Sequence, residues 1–198
     1  MKKVLMTALV LGSAVAAMAD NSVTFATFAD PSGNAHNPVF VHDRVAKTLN
    51  GAWGNAGLTL IAPGAVGAPT VTNAKFNTTT LALTQVIPGL FATGPGSISF
   101  SDSSNNPLFT ISFDSATFVE GLGAGASTLR GQNITLSGPA VPPGATMTQF
   151  NFALANQRNV GNNTTYTASF TSSAVPEPAT MVALGAGLLA LARRRRQA

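Results

Sequence analysis

The chain contains no cysteine. It therefore forms no disulfide bond and has no cysteine through which a lipid could be attached. Charged residues are also scarce, at 9% of the chain. Among the aromatic residues there are one Trp, one Tyr and 12 Phe. The folded part must therefore rest on a hydrophobic core alone, and we expect that core to be rich in phenylalanine.

The basic excess, 11 Lys+Arg against 7 Asp+Glu, lies at the two ends of the chain. Lys2 and Lys3 are near the start, and the end has Arg193, Arg194, Arg195 and Arg196. Residues 20–174 keep the basic residues Arg44, Lys47, Lys75, Arg130 and Arg158 and the acidic residues Asp20, Asp30, Asp43, Asp102, Asp114 and Glu120. This central region is nearly neutral and has no basic patch to neutralise phosphates, so we expect no nucleic-acid partner.

Residues 1–19 have the pattern of a secretory signal peptide. Lys2-Lys3 precede an apolar run from Val4 to Ala16, and Ala17-Met18-Ala19 has the small-x-small pattern of a cleavage site. We expect a signal helix here and cleavage between Ala19 and Asp20. A lasting N-terminal membrane anchor is the alternative.

The last residues have the pattern of a second targeting signal. Val175-Pro176-Glu177-Pro178 are followed by an uncharged apolar run from Ala179 to Ala192 and then by the cluster Arg193, Arg194, Arg195 and Arg196. A helix that is apolar all round favours lipid, and flanking cations stay on the cytoplasmic side, so we expect these four arginines to be the cytoplasmic end of the anchor. At about 1.5 Å per residue the run is shorter than a hydrocarbon core of about 30 Å, which favours a transient anchor over a permanent one. Burial of this helix in the protein's own core is the alternative, but it would place four arginines beside apolar packing.

This tail resembles the bacterial PEP-CTERM sorting signal, which combines a Val-Pro-Glu-Pro motif, a short hydrophobic helix and an arginine cluster. The resemblance covers residues 175–198 only. It implies recognition by an exosortase, a membrane-embedded cysteine transpeptidase that cuts near Pro-Glu-Pro. The implied partners are the exosortase, the secretion machinery, the membrane before processing, and exopolysaccharide. The implied destination is the cell surface or extracellular matrix.

Residues 20–174 have the pattern of a β-domain. Short runs of alternating polarity are separated by turn residues, most clearly in a hairpin whose loop is Asp102 to Pro107. Ile98 and Phe100 precede that loop, and Phe109, Ile111 and Phe113 follow it. About nine or ten strands predict an antiparallel β-sandwich or jelly-roll-like domain, with Ser172-Ser173-Ala174 as a spacer to the tail.

One segment of this region has helical spacing. Val41, Val45 and Leu49 follow Asn37-Pro38 at four-residue intervals, and Asn50-Gly51 ends the pattern. We predict the only helix of the domain here, with a strand beginning at Val39-Phe40-Val41 as the alternative.

The residues that could carry chemistry are few. His36 and His42 are the only histidines, and a metal site would need further ligands besides Asp43, so we expect solvent-exposed histidines, no metal and no cofactor. A serine hydrolase is disfavoured because no Gly-x-Ser-x-Gly turn is present. Asp114 and Glu120 could serve a glycosidase if they faced one cleft.

Two loops are rich in oxygen ligands, Asp30 to Asn34 and Asp102 to Asn106, and calcium is a weak alternative to their role as turns.

Three functions remain open. The first is a non-enzymatic surface or extracellular-matrix protein. The second is a carbohydrate-binding module in which Trp53 or Tyr166 stacks on sugar rings. The third is a secreted polysaccharide hydrolase.

Overall fold

The computed structural model describes residues 22–32, 37–121 and 127–175. These residues form 13 strands and no helix. In chain order the strands are β1 (Val23–Phe28), β2 (Phe40–Asp43), β3 (Thr48–Trp53), β4 (Thr59–Ile61), β5 (Thr70–Thr72), β6 (Lys75–Thr78), β7 (Leu81–Ile87), β8 (Leu90–Thr93), β9 (Gly96–Ser101), β10 (Pro107–Val119), β11 (Ser127–Ser137), β12 (Thr146–Val160) and β13 (Asn163–Val175).

Eight of the strands close into a barrel. Hydrogen-bonded neighbours follow one another in the order β2, β3, β7, β8, β10, β11, β12, β13 and back to β2. The all-β prediction is confirmed, but the prediction of a sandwich or jelly roll is wrong because the sheet closes on itself. Alternating polarity shows which side chains face the core, but it does not show which strand lies beside which.

The longest strands change neighbour along one edge. β13 pairs with β12 along one edge, while its other edge pairs first with β2 at Asn163–Tyr166 and then with β1 at Phe170–Ala174. β10 likewise pairs with β9 over its first half and with β8 at Thr117–Val119. Strands outside the closed ring therefore extend the same sheet.

The predicted helix is wrong, and its strand alternative is right. β2 and β3 form a hairpin in which His42 faces Leu49. The Oδ1 atom of Asp43 accepts hydrogen bonds from the backbone N–H groups of Val45 and Ala46 and so fixes the turn. Local bonding by this aspartate and the period-two burial of β3 outweigh the four-residue spacing of the valines.

The predicted hairpin around residues 102–107 is confirmed. Phe109 lies opposite Phe100, and Ile111 lies opposite Ile98. The spacer predicted at Ser172 to Ala174 is instead the end of β13, and Ala174 is buried.

Phenylalanine fills the core as predicted. Of the 12 Phe in the chain, all but Phe91 are buried. The ring centre of Phe152 lies 4.8 Å from that of Phe170 and 4.9 Å from that of Phe40. It also lies within 6.2 Å of the rings of Phe28, Phe76 and Phe150. One aromatic cluster thus joins strands from all around the sheet.

Within the described ranges, no helix is long and apolar enough to cross a membrane. Several predicted features lie outside those ranges, so the structure does not test the expected signal helix or the expected C-terminal helix. They are the signal peptide with Ala17, Ala19 and Asp20, His36, the motif residues Pro176, Glu177 and Pro178, the apolar run, and the arginines Arg193, Arg194, Arg195 and Arg196.

Candidate functional site

The outward side chains of four neighbouring strands line a cavity of about 620 Å³. Strand alternation turns Phe118, Leu129, Phe152 and Phe170 inward, so their neighbours in sequence point to solvent. We call the polar residues of the lining the polar face: Thr117 on β10, Thr128, Arg130 and Gln132 on β11, Gln149 and Asn151 on β12, and Thr171 and Ser173 on β13. Val119 of β10 lines the cavity beside them. Across three strand spacings the face is about 14 Å wide.

A cleft opens in this face because two strands part. β11 and β12 pair from Ser127 opposite Leu154 to Arg130 opposite Asn151, and no pair between them follows although β11 continues to Ser137. Phe150 forms the floor of the cleft. Its ring occupies the space that a Cβ atom at Gly131 would need, and it packs against Phe113 at 5.2 Å between ring centres. The cleft therefore combines an apolar floor with polar walls.

Arg130 and Asn151 face each other where the pairing stops. The Nε–H of Arg130 donates to Oδ1 of Asn151 at 3.2 Å, and the Asn151 amide nitrogen has no acceptor among the described residues. The two Nη groups of Arg130 make no hydrogen bond to any residue in the described ranges. Among the described residues that line the cavity there is no carboxylate or histidine, and Arg130 carries the single charge.

This chemistry suits binding better than acid–base catalysis. The amides and hydroxyls of the polar face both donate and accept hydrogen bonds. A general acid or base would need a titratable carboxylate or imidazole within reach of the bound molecule, and the lining of this cavity provides neither.

A second polar cluster lies inside the barrel. Nδ1 of His42 lies 3.5 Å from Oε1 of Glu120 and makes no hydrogen bond within the described part of the chain. The edges of Phe91 and Phe118 enclose the imidazole, which is 3% exposed, so the prediction of exposed histidines is wrong for His42. Tyr166 donates to the same Glu120 oxygen, and burial raises the pKa of this phenol, with the carboxylate as the second cause. The cluster joins β2, β13 and the residue that follows β10.

The aromatic residues expected to stack on sugar are buried. Tyr166 is 1% exposed and Trp53 is 5% exposed. Trp53 forms one wall of a separate cavity of about 450 Å³ that Lys75 and Asn105 also line, yet its Nε1 atom is buried and has no partner among the described residues. Buried rings offer no face to a sugar, so the expected stacking does not fit their positions.

The other predicted site residues are dispersed. Asp114 is exposed on β10, while Glu120 is held by Tyr166 in the buried cluster. Asp30 accepts hydrogen bonds from the backbone N–H and hydroxyl of Ser32, and Asp102 accepts them from Ser104 and Asn106, so both close turns. Within the described residues, no group of three or more His, Cys, Asp or Glu is placed to hold a metal ion.

The polar face escaped sequence reasoning for a physical reason. Its threonines, its glutamines and Asn151 are ordinary outward residues of alternating strands, and only the pairing of four strands brings them together. The end of β11–β12 pairing at Arg130, which opens the cleft, has no sequence signal except the Gly131 that receives the Phe150 ring.

Comparison with protein families identifies the tail. The model of the PEP-CTERM protein-sorting motif matches residues 174–196, and the predicted resemblance is confirmed. The motif implies an exported protein that an exosortase sorts and that is anchored through its C-terminus before processing. The matched range includes every residue predicted for the sorting motif and the arginine cluster, namely Val175, Pro176, Glu177, Pro178, Arg193, Arg194, Arg195 and Arg196.

The match begins at Ala174, a buried residue of β13 that pairs with Val23 and Met147. The sorting motif therefore starts where the last strand of the sheet ends. No curated protein and no solved structure matches the chain.

Proposed function

We propose that the chain is a non-enzymatic surface or extracellular-matrix protein that attaches to exopolysaccharide through the polar face. The observation that carries this proposal is the cleft between β11 and β12, with amides and hydroxyls on its walls and the Phe150 ring as its floor. Sugar rings present hydroxyl groups around an apolar C–H surface, and such a cleft complements both parts.

The sorting motif supports this role because it delivers the protein to the exterior. Exopolysaccharide is the abundant polymer at the destination that the resemblance to PEP-CTERM proteins implies. The sheet supports it as well, since sites on paired strands are held more rigidly than sites on loops. The carbohydrate-binding alternative becomes part of the same proposal, with the polar face in place of Trp53 and Tyr166.

A polysaccharide hydrolase is less well supported. Hydrolysis of a glycosidic bond needs two carboxylates that flank the bond in one cleft. Glu120 accepts a hydrogen bond from Tyr166 in the buried cluster, and the polar face contains no carboxylate.

The first experiment tests sorting. The chain without residues 175–198 is expressed in an exosortase-containing host beside the full chain, and localisation and intact mass are compared. We expect the full chain to be found at the surface or in the matrix with its tail processed. We expect the truncated chain to be found at a different location. Unchanged localisation and unchanged processed mass would refute sorting by the tail.

The second experiment tests attachment. The full chain is co-sedimented with purified exopolysaccharide from that host, and the length of the polymer is measured before and after incubation. We expect binding without shortening, and weaker binding by the double variant Gln149→Ala, Asn151→Ala. Gln85→Ala, an exposed glutamine on β7 outside the face, is the matched control. A shortened polymer would instead indicate a hydrolase.

A further inference from the structure

We infer that the polar face selects acidic polysaccharides, with Arg130 binding the carboxylate of a uronic acid unit. The inference rests on the proposed function, because it names the class of polymer that the same cleft recognises. Its basis is the charge of the face, since Arg130 is the one charged residue among those that line the cavity.

Within the described ranges, the guanidinium of Arg130 has a free end suited to a carboxylate. Its Nε–H is used by Asn151, so the two Nη groups remain as a fork of parallel donors. A planar fork binds the two oxygens of a carboxylate in a bidentate manner, which the ammonium group of a lysine cannot do. None of the described residues that line the cavity is acidic and could compete for this fork.

Asn151 fixes the direction of that fork. It lies directly opposite Arg130 in the last pair formed between β11 and β12, and the hydrogen bond between their side chains spans the two strands. The guanidinium is therefore held at the end of the cleft where β11 and β12 are still paired. The neighbouring amides lie two residues along each strand, Gln132 on β11 and Gln149 on β12, at a spacing of about 7 Å. They can contact the hydroxyls of the sugar units that follow the carboxylate.

Three other cationic residues, Arg44, Lys75 and Arg158, differ from Arg130 in their hydrogen bonds or in their position. The guanidinium of Arg44 donates to the carbonyl oxygens of Gly161 and Asn162, and Nζ of Lys75 donates to Oδ1 of Asn105. Arg158 is exposed on β12 but does not line the polar face. Arg130, by contrast, has a guanidinium end with no partner among the described residues and also lines a cavity.

Among the described residues that line the cavity, the single cation can pair with one carboxylate, and the amides and hydroxyls around it are neutral. Nucleic-acid affinity depends chiefly on the number of phosphates neutralised, and one positive charge supplies little of it. The surrounding amides and hydroxyls match sugar hydroxyls instead.

The test compares two polymers of similar length, polygalacturonate and the neutral glucan dextran, for binding to the full chain. We expect tighter binding of polygalacturonate at low ionic strength, and a preference that shrinks as salt is added, because the ion pair is exposed. Arg130→Gln should weaken polygalacturonate binding by about tenfold, as expected for one exposed hydrogen-bonded charge, and weaken dextran binding much less. The affinity of Arg130→Lys for polygalacturonate should lie between those of the parent and of Arg130→Gln, because lysine keeps the charge but lacks the planar pair of donors.

Arg158→Gln is the matched control, since it removes an exposed arginine of β12 that pairs with β13 and does not line the cavity. The melting temperature of each variant checks that the fold is retained. Equal binding of both polymers, or polygalacturonate binding that Arg130→Gln does not change, would overturn the inference but leave the proposed function standing. Absence of binding to these polymers and to the host exopolysaccharide would overturn both.

Discussion

The phenolic hydroxyl of Tyr166 donates a hydrogen bond to Oε1 of Glu120 at 2.6 Å and so connects residues 46 apart in sequence. It joins β13 to the end of β10, strands that do not pair with each other. The carboxylate of Glu120 also lies beside the buried imidazole of His42 on β2. Three positions around the closed ring are thus connected by one carboxylate.

Replacement of Tyr166 by phenylalanine should destabilise the domain. The variant keeps the ring but removes a hydrogen bond to a charged acceptor that is 16% exposed, and such bonds contribute about 1.5–3 kcal/mol. The free energy of unfolding from chemical denaturation measures the loss. Glu120→Gln, which keeps an acceptor oxygen, should lose less. Equal stability of Tyr166→Phe and the parent would contradict this role.

Stability should decline at alkaline pH because of the same phenol. Burial, followed by the Glu120 hydrogen bond and charge, raises the pKa of Tyr166 in the folded state above its unfolded value of about 10. The folded state therefore holds the proton more tightly, so this contribution is complete below pH 10 or so and is lost as the pH rises further. The free energy of unfolding should therefore decrease as the pH is raised above about 10, and it should decrease less steeply for Tyr166→Phe, which has no phenol to ionise.

The chain has a single Tyr, so phenolate absorbance reports this group alone. We expect no phenolate in the folded protein at a pH where the unfolded chain is already ionised. Ionisation of the folded protein at the ordinary pH would contradict the prediction.

The aromatic cluster should be sensitive at its centre. Phe152 touches five other phenylalanine rings, and truncation to alanine should cost about 3–5 kcal/mol because a cavity remains. Val160→Ala on the same strand is the control, since Val160 is 52% exposed and should change stability by less than about 0.5 kcal/mol. Similar losses in the two variants would argue against the packing described.

Gly131→Ala should disturb the floor of the cleft. The added Cβ would overlap the ring of Phe150, and overpacking of this kind typically costs about 1–3 kcal/mol. Gly54→Ala is the matched control because no atom lies within 4 Å of its added Cβ. We expect a lower denaturation midpoint for Gly131→Ala only.

The turn after β9 depends on Asp102. The pKa of its carboxyl is lowered chiefly by the hydrogen bond from the Asn106 side chain, together with those from the backbone N–H groups of Asn106 and Ser104. Its stabilisation of the turn is therefore present above its unfolded pKa and is lost as the pH falls through the lowered folded value. Asp102→Ala should speed hydrogen exchange of the Ser104 and Asn106 amides at neutral pH. Asp114→Ala, an exposed carboxylate on β10, should leave them unchanged.

Several features followed from local sequence. The sorting motif is a contiguous run, so its residues could be read without any fold, and its match to the family model confirms them. The hairpin of β9 and β10 was predictable because strict alternation around a turn of Asp and Asn residues fixes both strands. The phenylalanine core followed from the inward positions of the same alternation.

The sequence by itself therefore determined the sorting signal, the β class and the phenylalanine core. The tertiary structure alone decided that the sheet closes, that His42, Glu120 and Tyr166 meet, and that Arg130 and Asn151 stand over a cleft. The physical reason is that the period of two in a strand is a local property of the backbone. Which strands become neighbours depends on contacts between residues far apart in the chain, and no local pattern in this sequence encodes them.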